Sequence, residues 1–345
     1  MIMNKAAIYD KVLASLICTA TGDAMGAVTE NMTFDNIREK YNGGVREFMA
    51  PDVTAFAYGS KAGQITDDFS QTYLLAQEIV KNQGIITPEC AEKMLVKWSG
   101  IPKWFDHFAG PTTRAAIKRI KAKYEGIKLP PSNEVIDYAR QATNGAAMKI
   151  SPAGLFNPGN VEKAINDAEM ICMVTHDNQL SIAGACATAA AVAYGFSDNA
   201  NLFGLVEAGY HGAVAGNEYG MKHAHVVGGP NVLERMELAV NIALSGGNKE
   251  ERLRKIYNWV GTGLHISEAV PAAFGIILIC NGDPIETVLE SVNIGYDTDT
   301  IAAIAGSIVG AFSGMTSKLK EYCDVLDKAN EIDIKSLADD ICEYY

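Results

Sequence analysis

Two short segments of this chain place a hydroxyl and two carboxylates within a few residues of one another. "ITDDF" (65–69) offers Thr66, Asp67 and Asp68, and "GYDTDTIAAIAG" (295–306) offers Asp297, Asp299 and Thr300. A third acidic stretch, "GDAMGAVTE" (22–30), ends in Glu30. Oxygen-only donors of this kind suit hard divalent cations such as Mg²⁺, Mn²⁺ or Ca²⁺. Both aspartate sets stand just before apolar, small-residue runs that read as buried helices, where an isolated carboxylate is costly unless paired or bound to metal. No Lys or Arg lies between Asn293 and Met315, and the nearest basic residue to the first set is Lys61, so local ion pairs do not neutralise them. Four aspartates and two hydroxyls exceed what one Mg²⁺ uses, because that ion keeps several waters. Two cations roughly 3.5–4 Å apart, sharing aspartates, fit the count better. Each set taken alone also has a plainer reading, in which Asp67 or Asp68 is a helix N-cap or first-turn acid and Asp297 and Asp299 form an acidic turn into a helix. The residue types alone leave both readings open.

The elements that must hold these residues are helical. Apolar side chains recur at spacings of three and four over 5–20, 70–81, 160–174, 234–244 and 252–262. Alanine-rich runs at 183–195 and 301–314 predict helices buried on most sides, and Gly306 and Gly310 allow close approach of a neighbour. "DP" at 283–284, "PEC" at 88–90 and "DNAN" at 198–201 mark helix starts. Extended pieces are expected only at 223–229 and 56–60. There is no internal repeat, low-complexity tract or linker-like block. The expected architecture is all-α, with residues 1–345 forming a single compact multi-helix domain.

Composition bounds the function. The chain has 345 residues, 48 % hydrophobic and 20 % charged, which supports a sizeable core. A net charge of −12 disfavours nucleic acid and anionic membrane as partners. The seven cysteines (18, 90, 172, 186, 280, 323 and 342) are odd in number and scattered, so reduced thiols and a cytoplasmic setting are expected. The apolar stretch near the start is interrupted by Asp10 and Lys11, so a helix is expected there rather than a signal peptide. No run reaches a membrane-spanning length.

Other polar residues are less suggestive. His223 and His225 form a His-x-His pair without a third ligand at a convincing spacing, and ordinary polar histidines are expected. His211 and His265 read as turn or surface residues. Trp98 and Trp104 line either a groove or a packed loop. "VVGGPN" (226–231) lacks the continuation a phosphate-binding loop requires.

Six segments together resemble the ADP-ribosylglycohydrolase family. They are "GDAMGAVTE", "TDDFSQTYLLA", "AGPTTRAAI" (109–117), "NGAAMKISPAGL" (144–155), "THDNQLSIAGACATAAAVA" (175–193) and "GYDTDTIAAIAGSIVGAFSG", in that order over roughly 290 residues. The resemblance implies an all-α fold around a dinuclear Mg²⁺ (or Mn²⁺) centre held by Thr66, Asp67, Asp68, Asp297, Asp299 and Thr300. It implies that Glu30 or Asp67 activates water, that Asn144, Gly145 and Met148 lie beside the substrate ribose, and that His176 faces the ligand. The substrate implied is ADP-ribose linked to a protein side chain or a small molecule. Phe69, Phe108, Lys149 and Tyr296 depart from the family pattern, and the aromatic ones are expected to narrow the substrate pocket. Such drift points toward a smaller substrate such as a ribosyl nucleoside. A non-catalytic, crystallin-like relative and a metal phosphohydrolase are the rival readings.

Overall fold

The computed structural model describes residues 5–129 and 138–345. Among these are seventeen α-helices and no strand. The first half carries α1 (Lys5–Gly26), α2 (Phe34–Lys40), α3 (Asp67–Lys81), α4 (Pro88–Trp98), α5 (Pro102–Phe108), α6 (Pro111–Tyr124), α7 (Ser151–Leu155) and α8 (Val161–Met173). The second carries α9 (Gln179–Tyr194), α10 (Leu202–His223), α11 (Val232–Leu244), α12 (Lys249–Lys255), α13 (Ile266–Ile279), α14 (Pro284–Val292), α15 (Thr298–Ser313), α16 (Ser317–Asn330) and α17 (Ile334–Cys342). One connected apolar core runs from Ile8 to Cys342.

The all-α expectation holds, and the reason lies in small residues. Helices α1 and α15 run antiparallel in near van der Waals backbone contact. A methyl at Gly22 would sit 2.4 Å from the Ala302 carbonyl carbon, one at Gly306 2.5 Å from the Cys18 oxygen, and one at Gly310 2.5 Å from the Ala14 oxygen. At Gly26 it would meet the Asp299 Cα at 2.3 Å. The pairs step in fours on α1 (14, 18, 22, 26), the row of one helix face. Polar bonds lock the register: the Ser15 hydroxyl donates to the Ser307 carbonyl at 2.8 Å, and the Thr298 hydroxyl to the Gly26 carbonyl at 2.9 Å. The alanine-rich α9 is buried from Gln179 to Ala193 and packs the same way against Gly212, Gly216 and Gly220 of α10.

Three expectations are corrected. Residues 56–59 are turns rather than an extended piece. In 223–229 only His225 pairs in an extended manner, bridging Asn178, while His223 closes α10. The periodicity over 252–262 splits at Lys255 into α12 and a π-helical turn over Ile256–Val260, closed by Gly261 at φ 88° with its N–H on the Ile256 carbonyl at 3.1 Å. Trp98 and Trp104 are both buried, with Trp98 Nε1 donating to Ser70 at 2.8 Å, so they pack and do not line a groove. All seven thiols are free and buried. Among the described residues no helix is long and apolar enough to cross a membrane.

Gly306→Ala is expected to lower stability by about 1–3 kcal/mol, because a methyl there meets backbone that cannot rotate away. Denaturant unfolding read by circular dichroism measures it. A change under about 0.5 kcal/mol would show that the α1–α15 contact yields freely.

Candidate active site

The close α1–α15 contact decides where the acids go. It carries Asp23 and Glu30, at and just after the C-terminal end of α1, up to Asp297 and Asp299 at the start of α15. Helix α3 joins them from the side. The oxygens of Asp23, Asp68 and Asp299 lie within 4.8 Å of one another, as do those of Glu30, Asp297 and Asp299. Asp299 belongs to both groups, as a bridging carboxylate would. Residues 66–68 and 297–300, more than two hundred positions apart, therefore meet.

Asp67 and Asp68 stand in the first turn of α3, as the plainer reading allowed, but neither caps the helix. Thr66 stands at the N-cap of α3 without a side-chain cap bond, and so does Asp297 before α15. Asp23, from another helix, does the capping of α3. Its carboxylate accepts from Phe69 N at 2.9 Å, Thr66 N at 3.0 Å and Thr66 Oγ1 at 2.6 Å. Asp67 and Asp68 are thereby released from satisfying their own helix terminus. Sequence reasoning quoted Asp23 within its motif and gave it no role. The signal available was an acid one turn before the end of a glycine-rich helix.

Charge is the second feature. Asp23, Glu30, Asp67, Asp68, Asp297 and Asp299 converge where Asp67 and Glu30 are half-buried and the other four are buried. Burial raises every one of these carboxyls, and their mutual repulsion adds to it for Glu30, Asp67, Asp68 and Asp297. Burial likewise lifts Asp23 to about 8 and Asp67 to about 7. Asp68 Oδ1 and Asp299 Oδ1 are buried without a hydrogen-bond partner. Two unpartnered carboxylate oxygens among six acids form a donor set that suits hard divalent cations.

One cation reaches the cluster from afar. Lys149 is fully buried, its ammonium donates to the Gly145 carbonyl, and its charge acts on Asp67 and Asp68. Burial pulls its pKa down to about 8. A search for local ion pairs misses it because it lies some eighty residues from the acids it faces. A single positive charge does not balance six carboxylates.

The expected substrate residues do not share one placement. Asn144 is buried, donates from Nδ2 to Asp297 Oδ2, and its own N–H bonds the Leu264 carbonyl at 2.9 Å. The Met148 carbonyl accepts from Thr72 Oγ1 at 3.1 Å, tying the 144–148 turn to α3. His176 sits behind that turn: its Nε2 bonds Thr143 Oγ1 at 2.9 Å, its Nδ1 bonds Thr175 Oγ1 at 2.7 Å, and a methyl on Gly145 would lie 3.2 Å from Nε2. Burial holds its pKa well below the usual histidine value, so the ring is neutral. Phe69 is fully buried in the apolar core, its ring tilted against Tyr73, and only its N–H serves the site. Phe108 packs edge-on to Phe56. Tyr296 is half-exposed at φ 66°, a left-handed conformation that costs a non-glycine residue about 1 kcal/mol or more.

The histidines outside the site are ordinary polar residues. His223 lies tilted against Tyr219, His225 stacks on Tyr138, and His211 faces Glu162 at 2.6 Å. His265 caps α13 through Ser267 N. A surface cavity of about 1020 Å³, lined by Lys5, Asn160, Phe196 and Tyr345 among others, contains none of the clustered acids. The chemistry, not the size of a depression, locates this site.

The ADP-ribosylglycohydrolase family model matches residues 4–345. The uncharacterized protein YegU of Escherichia coli is 26 % identical over 340 residues, covering 97 % of each chain. The ADP-ribosyl-[dinitrogen reductase] glycohydrolase of Rhodospirillum rubrum is 24 % identical over 343 residues, covering 98 % of this chain and 97 % of that one. The ADP-ribosylhydrolase ARH3 of Xenopus tropicalis is 25 % identical over 334 residues, covering 90 % and 89 %. Among solved structures, an "ADP-ribosylglycohydrolase-related protein complex" superposes with a TM-score of 0.63 at 19 % identity, over 98 % of this chain and 99 % of that one, a likeness of fold.

Two outcomes follow for the acidic cluster. Asp23→Asn is expected to weaken Mg²⁺ or Mn²⁺ binding by about 10–100-fold, since it disturbs the group that holds Thr66 and the start of α3. Isothermal titration calorimetry reads this, and an unchanged affinity would remove Asp23 from the role. Stability without metal should depend on pH in a definite direction. Acids whose pKa is raised in the folded state hold protons that the unfolded chain has released above about pH 4. Their contribution is complete below that pH and is lost as pH rises through the values near 7 and 8 of Asp67 and Asp23. Thermal melts in chelator should fall from pH 5 toward pH 9, and excess Mg²⁺ should flatten the decline. A chelated protein whose Tm rises over that window would contradict the cluster's electrostatics.

Proposed function

Because the chain belongs to the ADP-ribosylglycohydrolase family, hydrolases that act on glycosidic bonds, we propose that it hydrolyses an N- or O-glycosidic bond at the anomeric carbon of a ribosyl group. The substrate in this reading is ADP-ribose linked to a protein side chain or a small molecule. The whole of residues 1–345 acts as one catalytic unit, in a cytoplasmic setting that the seven free, buried thiols suit. The observation that carries the reading is the convergence of Thr66–Asp68 with Asp297–Thr300 and Glu30, with two carboxylate oxygens unpartnered.

Thr66, Asp67, Asp68, Asp297, Asp299 and Thr300 would hold two Mg²⁺ or Mn²⁺. Bound cations supply charge stabilisation and a grip on the ribose hydroxyls. Glu30 stands beside Asp297 and Asp299, half-buried, and burial with the neighbouring acids keeps its carboxyl well above the usual range. In the absence of cations such a carboxyl keeps its proton at neutral pH; divalent cations bound beside it would lower its pKa and free Glu30 to accept the proton of an attacking water, and Asp67 is the other residue suited to that role. Asn144, Gly145 and Met148 orient the ribose, and the Asn144–Asp297 bond couples that turn to the acids. A ring held in this way reaches oxocarbenium character without reorienting. A ribosyl nucleoside as substrate is the second reading, favoured by the half-exposed Tyr296 ring.

Glu30→Gln is expected to lower kcat by about 10²–10⁴-fold. Assays with Mg²⁺ or Mn²⁺ should compare ADP-ribose release from modified serine or arginine with ribose release from nucleosides. Full activity in chelator, or loss of phosphate from nucleotides in place of sugar release, would overturn the reading. A calorimetric titration without any divalent-ion binding would favour a non-catalytic, crystallin-like relative.

A further inference from the structure

Resting on the hydrolase reading, we propose that Tyr296 sets the leaving-group preference: its ring forms a wall on which the planar aromatic aglycone of a small riboside, such as a nucleobase, stacks. Three observations support a positioned and functional ring. First, the backbone of Tyr296 is fixed by its neighbours on both sides. Its N–H donates to the Met32 carbonyl at 2.8 Å, and its carbonyl accepts from Asn31 N at 2.7 Å. Those residues directly follow Glu30. The next residue, Asp297, donates its N–H to the Thr262 carbonyl at 3.0 Å. The ring's Cα is therefore bracketed by the segment carrying the proposed base and by a clustered acid.

Second, this position takes a left-handed φ of 66°, which glycine adopts freely and an aromatic residue does not. The strain is not recovered by burial, since the side chain is 46 % exposed. Strain kept in a residue whose ring stays this exposed points to a use for the side chain.

Third, a berth has been cleared for the ring. A methyl on Gly263 would lie 2.5 Å from Tyr296 Cε1, so only glycine lets the ring lie there. Gly263 is held in turn by its N–H on Glu268 Oε2 at 2.8 Å. The following residue, Leu264, is 53 % exposed, and its carbonyl takes the Asn144 N–H at 2.9 Å. The wall is thus connected by backbone to the turn proposed to hold the ribose. A flat apolar face beside the anomeric position favours an aromatic leaving group by stacking, which an aliphatic serine linkage does not offer.

The test compares the wild type with Tyr296→Gly and Tyr296→Phe in excess Mg²⁺. Thermal stability of Tyr296→Gly should equal or exceed that of the wild type. The ratio of kcat/KM for inosine over that for an ADP-ribosylserine peptide should fall roughly tenfold in Tyr296→Gly. In Tyr296→Phe, which retains the ring, the ratio should stay near the wild-type value. An unchanged ratio in Tyr296→Gly overturns the inference. Inosine binding by calorimetry separates the two levels. If the wild type cleaves neither substrate, the hydrolase reading fails. Roughly tenfold weaker inosine binding by Tyr296→Gly would still uphold the wall, while equal binding or none by the wild type would overturn it.

Discussion

The backbone contact between α1 and α15 is the constraint from which the rest follows. Gly22, Gly26, Gly306 and Gly310 remove four side chains, and the two helices close until main chain touches main chain. At that separation, groups at the C-terminal end of α1 and the N-terminal end of α15 share one small volume. Those groups are acidic. Had the same helices met through leucines at an ordinary interaxial distance of about 8–10 Å, Asp23 and Glu30 would stand further from Asp297 and Asp299. Packing thus imposes the electrostatic problem that the site has to solve.

The problem is relieved only in part within the chain. Asp23 is committed to Thr66 and Phe69, Asp297 to Asn144, and Lys149 contributes one charge that acts on Asp67 and Asp68. What is left is a set of carboxyls held above their normal pKa and two oxygens without donors. A protein stabilised by nothing else would tend to lose such a feature, since buried unpaired acids weaken the fold. That cost is the reason we propose a cation-binding role for the cluster in a chain that belongs to a family of glycosidic hydrolases.

A short loop does much of the assembly. Residues 261–264 follow the π-helical turn, and in sequence Thr262 takes the Asp297 N–H, Gly263 makes room for Tyr296, and Leu264 receives Asn144. Three parts of the site are tied by backbone groups whose side chains carry no chemical signature. The periodic apolar pattern over 252–262 read simply as helix because burial of Ile256 and Val260 is compatible with either helical form.

The sequence by itself determined the helical class, through apolar spacing and alanine-rich runs, and it singled out the acidic and hydroxyl residues at 66–68 and 297–300, since few residue types offer such oxygens. The close-approach role of Gly306 and Gly310 was legible for the same reason, because only glycine lacks a side chain. What the tertiary structure alone decided is who serves whom. Asp23 caps a helix from another element, Lys149 offsets acids some eighty positions away, His176 supports a turn from behind, and Phe69 turns into the core. Each of these depends on direction and distance between elements far apart in the chain. Local periodicity and capping rules carry no information about such pairings, because a side chain's partner is set by how helices pack and not by its neighbours in sequence.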